Sequence, residues 1–108
     1  MGTLEIIVGP VEASTAADAG AVTARPVRTV QVASWDALSR TLSSKRLDLL
    51  RHLARSPAPS VRQLATALAR DYKNVHADVE ALCQAGLIRR GDDGLRVDFA
   101  GIIVRLAL

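Results

Sequence analysis

The chain has 108 residues, 49% of them hydrophobic but only 3% aromatic, and a formal net charge of +3. That suffices for one domain with a small appendage and a core of Leu, Val, Ile and Ala. It excludes a membrane span, since no run of about 18 apolar residues occurs, and a disulfide framework, since Cys83 stands alone.

The opening MGTLEIIVGPVE lacks a basic region and is read as the start of a folded element, not a signal peptide. Residues 3–8 (TLEIIV) are short, β-branched and stopped by Gly9-Pro10, the pattern of a strand. Residues 12–24 are rich in Ala, Ser and Thr and lack large apolar side chains; they read as a weak helix or a loose surface segment. Residues 27–33 (VRTVQVA) alternate and read as a second strand.

Ser34 is placed to cap a helix, with Asp36 in its first turn and Trp35, Leu38 and Leu42 at helical spacing. Trp35, the largest apolar side chain, is expected to anchor that helix to the core. Ser43 or Ser44 opens a second helix over 45–55, with a stripe of Leu47, Leu50 and Ala54 widened by Leu49 and Leu53. Ser56-Pro57-Ala58-Pro59 ends it, because two prolines cannot continue a helix. Ser60 to Gln63 form a capping box for a third helix that buries Val61, Leu64, Ala65 and Leu68. Asp71 caps a fourth over 72–85, with an inward stripe of Val75, Val79 and Leu82. Gly86 sits where a left-handed residue ends a helix. Residues 87–90 and 95–99 then read as a hairpin around Gly91-Asp92-Asp93-Gly94, and residues 102–108 (IIVRLAL) as a last strand.

Charge is spread unevenly. Residues 1–39 carry a net −2, residues 40–75 a net +6 and residues 76–108 a net −1. The basic middle segment coincides with a helix–turn–helix pattern, and an ordered basic patch favours phosphate through counterion release. With the valine stripe of residues 72–85 turned inward, Lys73, Ala77, Glu80 and Gln84 point outward, Tyr72 and His76 lie on one shoulder and Asn74 on the other. In a helix-turn-helix the start of the second helix enters the major groove, so Tyr72, Lys73, Asn74, His76 and Ala77 are the candidates to reach bases. Lys donates to guanine, Asn binds adenine, and Ala touches a thymine methyl. Glu80 and Gln84 lie too far back. Ser60, Arg62 and Gln63 begin the preceding helix, whose free N–H groups suit a phosphate oxygen. Arg70 in the turn is a further phosphate candidate. Arg89, Arg90 and Arg96 flank the hairpin turn, where they suit phosphate or the minor groove, whereas Asp92 and Asp93 at its tip repel phosphate.

Each candidate has a plainer role. Tyr72 equally suits covering the core edge, His76 fits a solvated shoulder better than a base reader, and Cys83 reads as a small buried hydrophobe. Catalysis is not expected. The two His, one Cys and scattered carboxylates show no metal-ligand spacing, no nucleotide or nucleophile motif occurs, and His52 has no evident carboxylate partner. Neither metal nor cofactor is expected.

Residues 42–90 resemble the MarR-like winged helix-turn-helix regulators of bacteria and archaea. They look closer still to a small group of predicted transcriptional regulators. Leu42, Ser43, Lys45, Arg46, Leu49 and Leu50 match that pattern, as do Ser60, Val61, Leu64 and Ala65. So do Arg70, Asp71, Lys73, Asn74, Val75, His76, Asp78, Val79 and Leu82, and finally Gly86, Leu87 and Ile88. The match covers about half the chain and is most specific over RDYKNVHADVEAL. The resemblance implies that the second helix of the motif reads DNA, and that some members pair with a small toxin and act as autorepressors. The long flanking dimer helices of full-size MarR proteins are missing here, so their dimer geometry and effector pocket do not carry over.

The expected architecture is α+β: a winged helix-turn-helix with extra N- and C-terminal β-strands. Residues 1–33 form a β element with an Ala-rich connector, and residues 34–108 the winged-helix domain with its C-terminal strand. The expected function is sequence-specific binding of double-stranded DNA as a cytoplasmic, nucleoid-associated repressor. A homodimer is expected, with the apolar terminal strands helping to form its interface, because unpaired they are aggregation-prone edges. The alternative is a protein-interaction module, such as an antitoxin neutralising a toxin.

Overall fold

The computed structural model describes residues 2–9 and 27–106, a mixed α/β chain with four helices and two sheets among them. In order these are β1 (Thr3–Val8), β2 (Arg28–Val32), α1 (Trp35–Thr41), α2 (Ser44–Arg55), α3 (Val61–Leu68), α4 (Tyr72–Gln84), β3 (Arg89–Gly91), β4 (Gly94–Arg96) and β5 (Gly101–Leu106). The Ala-rich stretch 12–24 and the last two residues of the predicted final strand lie outside the described residues. The chain divides into two compact units. One takes its residues from Met1–Arg40 and Phe99–Leu108, the other is Thr41–Asp98.

In the first unit, β1 is the central strand of a parallel sheet ordered β2-β1-β5. A central parallel strand is hemmed in on both sides, which favours a near-continuous apolar run. Accordingly Leu4, Ile6, Ile7 and Val8 are all buried. Glu5 is the exception. Arg105 Nε of β5 donates to its carboxylate at 2.7 Å, and Thr29 Oγ1 of β2 at 3.4 Å. The two terminal apolar strands therefore pair with each other inside the chain. On α1, Ser34 Oγ accepts from Ala37 N–H as the sequence suggests, and Leu38 is buried. Trp35 departs from expectation: it is 55% exposed and does not anchor the helix, a task left to Leu38. Trp35 is the first residue of the helix, and the side chain the helix buries lies one turn on, at Leu38.

In the second unit each helix begins on a side-chain cap. Ser43 accepts from Arg46 N–H, Ser60 from Gln63 N–H, and Asp71 from both Lys73 and Asn74 N–H. Such caps are worth about 1 kcal/mol each. The buried face of α2 is Leu49, Leu50 and Leu53, while Leu47 and Ala54 are only half-buried, so the stripe is turned from the one expected. On α3, Leu64 and Ala65 are buried, with Val61 and Leu68 half-buried. On α4, Val75, Val79 and Leu82 are wholly buried, as the spacing predicts. The α3–α4 turn passes through Ala69 at φ 54°, ψ 44°, a left-handed conformation in a residue that has a Cβ. Gly86 adopts φ 83° after α4, and Leu87 N–H returns to Leu82 O at 2.9 Å, closing the helix end.

The hairpin is shorter than predicted. Leu87 and Ile88 are buried but not paired as a strand, and β3 pairs with β4 only from Arg89↔Arg96 to Gly91↔Gly94. Ala58, between the two prolines, pins the hairpin to the helices. Its N–H donates to Leu95 O at 3.0 Å, and Leu95 N–H donates to its carbonyl at 2.7 Å. At Gly94, with φ +114°, a Cβ would lie 2.3 Å from that Ala58 oxygen, so only glycine fits.

Candidate nucleic-acid interface

The side of α4 opposite Val75, Val79 and Leu82 is open. Lys73, Asn74, His76 and Ala77 are exposed, and Tyr72 is 39% exposed. Asp71, which begins this helix, has its carboxylate turned onto the backbone N–H groups of Lys73 and Asn74 at 3.1 and 3.3 Å. Ala77 puts the smallest side chain in the middle of the open face, where a long one would hold an approaching surface away.

A row of stacked side chains runs beside this face. The Arg62 guanidinium lies 4.7 Å from the centre of the Tyr72 ring, a cation–π contact from the first turn of α3. The Tyr72 and His76 ring centres are 5.8 Å apart, tilted by 40°. His76 Nε2 is 3.9 Å from Glu80, whose carboxylate accepts from Arg90 Nη2 of β3 at 2.8 Å. Tyr72 thus acts as a platform for Arg62 on the surface. Ser60 and Gln63 are exposed at the start of α3 beside it.

The basic candidates divide by what they touch. Arg90 is held by Glu80 and Arg89 by Asp98 at 2.9 Å. Arg70 turns inward, its Nη2 donating to Asp78 Oδ2 at 2.8 Å, while its Nη1 is buried with no hydrogen-bond partner among the described residues. Lys73 and Arg96 meet no carboxylate among the described residues. Arg96 sits directly across the hairpin from Arg89, a like-charge pairing that costs stability in a bare hairpin.

Asp78 is the residue that sequence reasoning passed over. Its side chain is 15% exposed and clamped between Arg46 Nε at 3.0 Å and Arg70 Nη2. Arg46 also donates to Thr41 O at 3.1 Å. Burial alone would raise this carboxyl's pKa. Hydrogen bonds from Arg70 and then Arg46, with their charges, outweigh burial and leave it below the ordinary value. The clamp joins α2, the α3–α4 turn and α4, and so fixes how α4 is presented. The signal for it was an acidic residue next to the valine stripe, in a segment crowded with arginines. Cys83 is half-buried, and burial pushes its thiol pKa up, away from reactive thiolate chemistry. Among the described residues no three His, Cys, Asp or Glu side chains gather to hold a metal ion. No described helix is long and apolar enough to cross a membrane.

These features define a small mixed α/β protein in which three capped helices and a hairpin present one open helix face. Over residues 41–104, more than half of its length, the chain matches the HVO_A0114 family, and it belongs to that family. No curated protein and no solved structure matches it significantly.

Proposed function

We propose that residues 41–98 form a winged helix-turn-helix of the MarR-like kind, in which α4 reads the major groove of double-stranded DNA and the β3–β4 hairpin is the wing. The protein then acts as a sequence-specific transcriptional repressor. One observation carries this reading: the first two turns of α4 expose Lys73 and Ala77 opposite a fully buried valine–leucine stripe, with Asn74 exposed on its shoulder. Lys73 and Asn74 are the base readers. Arg62, steadied on Tyr72, and the N–H groups at the start of α3 take phosphate. At the wing, Arg96 is the main contact, because Arg89 and Arg90 are already engaged by carboxylates. A homodimer follows from the small size of one reading head, since paired heads match operator symmetry.

The rival reading is a protein-interaction module, such as an antitoxin that neutralises a toxin. The pairing of Arg70, Arg89 and Arg90 with carboxylates favours it, because it lowers the field offered to phosphate. A gel shift on random duplex at two salt concentrations separates the two. Binding that weakens steeply with salt supports DNA, and no binding at low salt supports the interaction module. With an operator in hand, Lys73→Ala/Asn74→Ala should weaken specific binding by about 1–3 kcal/mol for each base edge no longer read. Wild-type affinity in that variant would show that α4 is not the reading helix.

A further inference from the structure

We propose that the outer edge of β5 pairs with β5 of a second copy, antiparallel about a two-fold axis, giving one continuous sheet ordered β2-β1-β5-β5-β1-β2. Among the described residues the sheet of the first unit has two edges, β2 and β5, and they differ. On β2, exposure alternates, with polar Thr29 and Gln31 outermost. On β5, Ile103, Val104 and Leu106 are 38%, 40% and 45% exposed. Successive strand residues face opposite sides of a sheet. Register places Val104 and Leu106 beside Ile6 and Val8 on one side, and Ile103 beside Glu5 on the other. One face of the edge strand, Ile102, Val104 and Leu106, is therefore wholly apolar, while the other carries Ile103 and the Glu5-bound Arg105.

Among the described residues no strand lies beside that edge. None of the devices that keep edges from pairing is present: no proline, bulge or unpaired charge interrupts Gly101–Leu106. Its one charge, Arg105, is bound to Glu5 of the neighbouring strand at 2.7 Å, so two copies brought together meet no naked like charges. What fits such an edge must be extended, apolar along one face and beside Ile103 on the other, and free of repelling charge. β5 itself has all three properties. Antiparallel self-pairing uses each β5 edge once and closes on a pair. Pairing β5 to β2 of a neighbour would instead continue without end and would set Thr29 and Gln31 against apolar side chains.

This inference concerns the first unit and stands apart from what the second unit binds. Its test reads mass alone, without DNA. Light scattering of the whole protein through a dilution series should give twice the 11.5 kDa chain mass. Ile103→Lys and Val104→Lys should each raise the dimer dissociation constant by about tenfold or more, whereas Thr29→Lys on the opposite edge should leave it unchanged. Circular dichroism identifies any variant that fails to fold. For that case, Ile102→Cys, Ile103→Cys and Val104→Cys, each with Cys83→Ser, are oxidised in turn. At least one should give a disulfide-linked dimer while Thr29→Cys gives none. A monomer at every concentration overturns the proposal. So does a dimer that survives both lysine variants, or cross-linking at Thr29→Cys as efficient as on β5.

Discussion

Two groups of arginine in the second unit face opposite ways. Arg46 and Arg70 converge on Asp78 inside the angle of α2, the α3–α4 turn and α4. Arg62 and Arg96 lie on the surface with Lys73, Arg62 stacked on Tyr72 and Arg96 meeting no carboxylate among the described residues. The first group builds the presentation of α4, and in the proposed function the second meets the ligand. The segment charge of +6 therefore overstates what a phosphate would feel: Arg40, Arg46 and Arg70 meet Asp36 or Asp78, carboxylates outside the segment. Where a cation points matters more than how many there are.

The largest expected effect separates the groups at the inner one. Asp78→Ala strands two partly buried guanidinium groups and should cost about 3 kcal/mol of stability, read from the shift in denaturant midpoint. The same clamp sets a pH dependence. Asp78 titrates below its ordinary value of 3.8, so its contribution is complete above that value and fades as pH falls through the folded-state value. The stability gap between wild type and Asp78→Asn should thus be full at neutral pH and shrink below about pH 4. A gap that holds steady into acid would mean the clamp contributes no such linkage.

Gly94→Ala attacks the other region. A Cβ there meets the Ala58 carbonyl, so the hairpin must shift, at a cost of about 2 kcal/mol. Amide exchange should rise across β3 and β4 while α4 stays protected. Replacing the whole clamp sharpens the comparison further. Arg46→Met/Arg70→Met/Asp78→Leu should lie within about 1 kcal/mol of wild type, because apolar groups of similar size replace a costly buried ion group that already leaves Arg70 Nη1 unsatisfied. It should also retain duplex binding; a folded variant that no longer binds would put Arg46 or Arg70 on the ligand side. The smallest effect on stability belongs to Arg96→Ala, within about 0.5 kcal/mol. Its salt dependence of duplex binding should nonetheless flatten by about one phosphate contact.

What the sequence made legible was local. Caps at Ser34, Ser43, Ser60 and Asp71, the glycine after α4, and the Val75/Val79/Leu82 stripe depend on neighbours within a turn or two, and all are found where the pattern puts them. The exposure of Lys73 and Ala77 opposite that stripe, and of Asn74 on its shoulder, follows from it. What stayed hidden depends on distant partners. Nothing near Arg70 says that it turns inward, because its partner is Asp78 on the next helix. Nothing near TLEIIV says which strands flank it, because its neighbours are Arg28–Val32 and Gly101–Leu106. Trp35 misled through size: it is the largest apolar side chain, yet it is 55% exposed while the smaller Leu38 is buried.

The bond from Arg105 to Glu5 spans 100 residues of sequence. The helices and hairpin of the second unit instead draw on contacts within Thr41–Asp98. Loop-closure entropy delays distant pairing. During synthesis, then, β1 has β2 to pair with early, but its other edge stays open until β5 emerges, by which time the helical unit has had its whole length in which to fold. The third strand of the sheet is thus added only after the whole helical unit has been made.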